Sequence, residues 1–230
     1  MVTLLHGSDH IIEKPEMRLA KPTNDYGRGF YCTRQPEMSM EWACKNNTDG
    51  FSNEYIFEND GLQVLNLLDG NHSVLDWIAL LLANRTFTIQ NEIERDAKDY
   101  LLHNFLIDLT PYDVVIGYRA DDSYFSYAQS FLSNTLPVKA LGKALTLGRL
   151  GEQTVLISQR AFDRLSFVRA EPAAKEIYYP KFYKRDTEAR REWREHLKDS
   201  RSYLNDIFVL DILREGMTSD DPRIQRIIFE

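Results

Sequence analysis

One stretch constrains this chain more than any other: NDYGRGFYCTR, residues 24–34, where two glycines bracket an arginine and an aromatic, strand-like run follows at once. Glycine lacks a Cβ, so Gly27 and Gly29 permit a backbone that turns tightly or lies close against another group. Gly29–Thr33, aromatic and β-branched after its glycine, reads as a strand. From these residues alone two uses of the turn stay open: a passage over a bound ligand, or a turn ahead of a core tyrosine. A second fragment poses the same question. The chain begins MVTLLHGSDH, an apolar strand over Val2–His6 that ends in His-Gly-Ser.

The rest of the body mixes strands and helices. Residues 7–26 contain Pro15, Pro22, Asn24 and Asp25 and read as a long irregular loop. Gln35–Asn46 reads as a helix, with Pro36 in its first turn and Glu37 near its positive end. Asn53–Phe57 and Leu62–Leu67 read as strands joined by a hairpin turn, Glu58-Asn59-Asp60-Gly61. Ser73, with Asp76 three positions on, caps a helix whose apolar residues run through Leu82. Arg85 at its end complements the helix dipole. Helical character returns over DAKDYLLHNF, SYFSYAQSFL and LPVKALGKALTLG, whereas YDVVIG, EQTVLIS and Leu165–Arg169 are strand-like. The expected class is α+β, with inserted helices at about residues 73–106.

From Pro172 the chain changes in kind. The run PKFYKRDTEARREWREHLKDSR is dense in charge, with Tyr183, Ala189, Trp193 and Leu197 at roughly helical spacing. YLNDIFVLDILREG follows as an amphipathic helix stopped by Gly216. Two regions are expected: residues 1–171 as the main domain, and residues 172–230 as a charged helical extension packed on it.

Charge and cysteine content exclude several classes. The 12 Lys and Arg beyond residue 171 balance 12 Asp and Glu, so the net charge of -7 belongs to the main body. An acidic body lacks the basic face of a general nucleic-acid binder. Cys32 and Cys44 fit neither a zinc spacing nor a disulfide framework and read as buried free thiols. Asp121 and Asp122 have no further ligand cluster beside them, so no metal site is expected. No signal-peptide pattern is visible, and the apolar run at Trp77–Ala83 falls far short of a span of ~20 residues. The expectation is a cytoplasmic protein with no membrane attachment.

Three strand-borne signatures, LLHGS, GRGFYCT and GEQTVLIS, occur in an order that resembles the His-Tyr-Glu branch of the ADP-ribosyltransferase superfamily. More specifically the chain looks like a bacterial family of that superfamily in which HGS, DYGxGFYxT, a Trp-plus-NR helix and YDVVIG…ADD recur in order. The resemblance covers about residues 4–168 and continues more weakly through YYPKFYKRD and DIFVLDILR. It implies a split β-sheet core around a cleft, and mono-ADP-ribosyl transfer with NAD as substrate. It further implies a toxin or phage-defence effector, an unknown target macromolecule and a small neighbour-encoded partner such as an antitoxin.

The chemistry explains why such residues recur. NAD breaks at its nicotinamide–ribose bond through an oxocarbenium-like cation, which calls for a grip on the carboxamide, a clamp on the ribose and nearby negative charge. By resemblance, His6 bonds the adenosine-side ribose, Gly7 offers its backbone to the carboxamide, and Ser8 adds a hydroxyl. Gly27 and Gly29 let the turn pass over the dinucleotide, Tyr31 stacks on nicotinamide, and Arg28 is near enough to contact phosphate. Lys14, Arg18 and Lys21 lie where this superfamily borders the pyrophosphate, and the NR match implies a phosphate contact or an intramolecular salt bridge for Arg85. The third position offers adjacent Glu152 and Gln153, and neighbours in a strand face opposite ways. Glu152 inward gives the carboxylate that transfer wants; Gln153 inward leaves another carboxylate, or binding alone, to serve. A non-catalytic NAD- or ADP-ribose-binding protein, or a partner-binding protein with a degenerate cleft, is therefore the alternative. GRGF lacks the third glycine of a Rossmann fingerprint, and no G-x-S-x-G elbow is present.

Overall fold

The computed structural model describes residues 1–120, 122–146, 151–198 and 205–225. The class is α+β, with two sheets and a set of helices. The strands are β1 (Val2–Ser8), β2 (Phe30–Cys32), β3 (Gly50–Phe57), β4 (Val64–Asn66), β5 (Val114–Tyr118), β6 (Glu152–Leu156) and β7 (Leu165–Ala173). One sheet has the order β1-β3-β7 and is antiparallel throughout; the other has the order β2-β6-β5-β4, with only the β5–β4 pair parallel.

This order overturns the hairpin expected between residues 53 and 67. Phe57 pairs with Val2 on one side and Leu165 on the other, so both edges of β3 are occupied. The chain instead uses Gly61, at φ +74°, to leave that sheet, and β4 joins β5 in the second one. The local turn chemistry was sound, but a hairpin also needs a vacant strand edge.

The helices are α1 (Pro36–Ala43), α2 (Val74–Asn84), α3 (Glu92–Asn104), α4 (Asp122–Leu132), α5 (Val138–Thr146), α6 (Gln159–Phe162), α7 (Lys175–Lys198), α8 (Val209–Glu215) and α9 (Pro222–Gln225). Of the two aspartates in the ADD motif, Asp121 lies outside the described residues. Helix α2 starts where its capping box dictates: Asp76 N–H donates to Ser73 Oγ, and Ser73 N–H donates to the Asp76 carboxylate. Every residue from Val74 to Leu82 is buried, which makes α2 the central rod of the larger core. That core lies on one face of the second sheet, where Val115 and Val155 meet Trp77, Ala128 and Leu141. A smaller core includes Leu4 and Tyr55 of the first sheet and Phe30 and Leu156 of the second. Cys32 and Cys44 are both buried and free.

The C-terminal elements complete these cores. Val209 and Ile212 of α8, with Met217 and Ile224, belong to the larger one. Gly216 ends α8 in the left-handed conformation at φ +64°. Strand β7 runs on to Ala173, so the chain enters α7 from inside the sheet. Helix α7 then grips α1 through a two-pronged ion pair: Arg185 Nε and Nη2 lie 2.9 and 2.7 Å from the Glu41 carboxylate. Lys181 adds a contact to Glu37 at 2.6 Å. The Glu41 side chain is only 2 % exposed, so its charge depends on Arg185. Arg185→Ala leaves that carboxylate buried without this partner and should cost about 3 kcal/mol in denaturant unfolding. Lys181→Ala, which breaks an exposed and solvent-screened pair, should cost much less. Equal losses from the two variants would contradict this assignment.

Candidate functional site

The two sheets meet at a seam between β1 and β2. Leu5 N–H donates to Thr33 O at 2.8 Å and Thr33 N–H to Leu5 O at 2.9 Å, a single antiparallel rung. Backbone groups of alternate strand residues point to the same edge, so Gly7, like Leu5, directs its N–H and C=O toward β2. The next rung of such a ladder would set Gly7 against Tyr31. Among the described residues that rung is not made, because Tyr31 O accepts instead from His6 Nδ1 at 2.7 Å. The carbonyl can only accept, which puts the His6 proton on Nδ1. The imidazole stacks on Phe30 at 4.4 Å between ring centres. The ladder thus opens after one rung, with His6 holding it open.

Gly7 is a glycine because α1 lies against it. A Cβ there would fall 2.0 Å from the Ser39 carbonyl oxygen and 2.9 Å from the Trp42 Cβ. Trp42 is consequently a neighbour of the seam. Its indole Nε1 is buried and has no hydrogen-bond partner among the described residues. The guanidinium of Arg119 covers its ring at 4.8 Å. Ser8 turns its hydroxyl to local work, donating to His10 O and accepting from Asn53 Nδ2.

Tyr31 faces the larger core, and the turn before it is built around its hydroxyl. That hydroxyl donates to Gly27 O at 2.8 Å and accepts from Tyr26 N–H at 2.9 Å. The close approach that Gly27 and Gly29 allow is to the protein itself. A Cβ on either would lie 2.7 Å from its nearest neighbour, Asn84 Oδ1 for Gly27 and Leu156 O for Gly29. Arg28 donates to the carbonyls of Arg18 and Ala20, so it ties down the incoming loop.

Beneath the turn lies a network that inspection of the sequence missed. Asp25 is 6 % exposed, and its Oδ2 accepts from Ala120 N–H at 3.0 Å and from Gln153 Nε2 at 3.3 Å. Its Oδ1 faces Arg85 Nε at 3.7 Å, which resolves Arg85 as half of an intramolecular salt bridge. Burial pushes the Asp25 carboxyl above its ordinary range, against the pull of Arg85 and these hydrogen bonds. Next to it, the Tyr26 hydroxyl accepts from Trp77 Nε1 at 2.6 Å and donates to Tyr118 O at 2.8 Å. One signal was legible: Asp25, Tyr26, Trp77 and Arg85 all stand in the recurring motifs. Their mutual contact was not, since the partners lie about 50 to 130 residues apart.

The two third-position candidates separate cleanly. Cross-strand pairing sets Tyr31 opposite Val155 and Gly117 opposite Gln153, so Tyr31 and Gln153 share the face that meets Asp25. Gln153 is 3 % exposed. Glu152 goes to the opposite face and is exposed, lining a cleft of about 380 Å³ with Arg34, Gln35, Asn66 and Thr154. Among the described residues no group of three or more His, Cys, Asp or Glu side chains is placed to hold a metal ion. Nor is any described helix long and apolar enough to cross a membrane.

Burial of His6 lowers its pKa to about 4, from about 6.5. A base depressed in the fold stabilises it fully above the unfolded value, and that contribution is lost as pH falls from about 6.5 toward 4. NMR titration should therefore find the His6 ring neutral down to about pH 4, and His6→Asn should flatten the stability slope over that window. A midpoint near 6.5 would show a solvated ring.

No curated protein and no solved structure matches the chain. A family profile does, over residues 2–167, a span that holds the seam, the Asp25 network and both faces of β6. The chain belongs to the family described as Protein of unknown function (DUF3990).

Proposed function

We propose that this protein is an NAD-dependent mono-ADP-ribosyltransferase. The observation that carries the reading is the opened ladder between β1 and β2. It directs one strand residue's N–H and C=O, those of Gly7, into a seam flanked by His6 and Tyr31. A carboxamide needs one donor for its oxygen and one acceptor for its NH₂, and a strand edge offers that pair at fixed spacing. The orphaned Nε1 of Trp42, a residue whose Cβ packs against Gly7, is a buried donor of the kind a bound polar ligand satisfies. NAD fits these residues as a substrate.

In this reading Gly7 and Trp42 take the nicotinamide end, the Tyr31 ring lies along it, and neutral His6 bonds a ribose hydroxyl. Gln153 stands where the late strand meets the leaving bond. Loss of nicotinamide leaves a ribosyl cation, which the target nucleophile captures with release of one proton. An effector of this kind modifies an intracellular macromolecule and is restrained by a partner protein.

Gln153 on the Tyr31 face supports a second reading, an NAD- or ADP-ribose-binding protein without turnover, because no carboxylate of β6 faces that network. Incubating the full chain with NAD and measuring released nicotinamide separates the two. Transfer chemistry predicts release above the spontaneous rate, reduced at least about tenfold in His6→Ala and Gln153→Ala. Trp42→Phe should weaken NAD binding about three- to tenfold, the worth of one hydrogen bond. Binding without release selects the second reading, and neither binding nor release overturns both.

A further inference from the structure

The amide of Gln153 has a fixed orientation. Its Nε2 lies 3.3 Å from Asp25 Oδ2 and 3.3 Å from Tyr118 O. Both neighbours are acceptors, so the amide nitrogen, and not its oxygen, must face them. Asp25 is in turn held by Ala120 N–H at 3.0 Å and faced by Arg85 at 3.7 Å. A glutamate at position 153 would turn its carboxylate toward a carboxylate and a carbonyl, with no hydrogen to offer either. Two carboxylates that close do not both ionise.

We infer that Asp25 is a positioning residue for the reaction proposed above, on which this assignment rests. It locks the Gln153 amide with the carbonyl oxygen turned away from Asp25 and toward the ligand. It also supplies the anionic character that a strand glutamate would otherwise bring, passed on through the polarised amide. Asp25 itself touches no substrate; it acts through Gln153.

The pairing and its use are tested separately, on the full chain, with Asp25→Asn, Gln153→Glu and the double variant. The double exchange reverses donor and acceptor, so the amide at 25 donates to the carboxylate at 153. Each single change should lower Tm, and the double should recover most of the loss. The Gln153 side-chain NH₂ resonances, assigned by their loss in Gln153→Glu, should shift in Asp25→Asn. NAD affinity by calorimetry should fall about tenfold in each single variant and return to within about threefold in the double. No recovery of Tm, together with an unmoved amide signal, overturns the pairing. Recovery of Tm with equal NAD affinity in all four proteins overturns the positioning role and leaves Asp25 a structural anchor. A wild-type chain that neither binds nor cleaves NAD overturns the functional reading and Asp25's part in it, while Tm and the amide signal still decide the pairing.

Discussion

A carboxylate shut away from water organises this molecule. Asp25 sits in irregular chain, yet it is held by the end of α2 through Arg85, by the exit of β5 through Ala120 and by the head of β6 through Gln153. Its neighbour Tyr26 joins α2 to β5 through Trp77 and Tyr118. A buried charge with fewer partners would cost several kcal/mol, so each of these segments is held in register by the others. The loop that leads into Tyr31 is irregular and fixed in its place.

How much of this was legible in the sequence depended on the range of the interaction. The α2 helix was readable because its stop and start are local: Ser73 and Asp76 make the cap, and the apolar run needs no partner to be recognised. The β1 and β2 strands were readable for the same reason. Strand order was not, and Glu58-Asn59-Asp60-Gly61 shows why: a turn fixes where the chain reverses, while the available edges decide what it pairs with. The Glu152–Gln153 choice was likewise undecidable from alternation alone, since Val155, Leu156 and Ile157 are apolar on both faces. Only the register of β6 against β2 and β5 resolves it. Asp25 looked like an ordinary loop residue because nothing within a dozen positions signals its burial.

The seam shows how the two sheets are joined without being fused. One rung at Leu5 and Thr33 fixes their mutual position, and the His6 ring then replaces the rung that would have closed the gap. A ring nitrogen reaches farther than a backbone amide, so the strands diverge there while Tyr31 O keeps a partner. Helix α1 backs the opening, close enough that position 7 tolerates no side chain. The exposed Glu152 lies on the other face of β6, in a cleft of its own, so this sheet presents two chemically different surfaces.

The contribution of α8 and the residues after it to the main core sets a schedule for biosynthesis. Met217 and Ile224 pack among side chains of α2, α3 and α5, which leave the ribosome long before them. The central hydrophobic cluster therefore stays incomplete until almost the whole described chain has emerged, and the nascent polypeptide carries uncovered apolar surface through most of its translation. Maturation of the cleft therefore waits on residues more than a hundred positions downstream of the helix they cover.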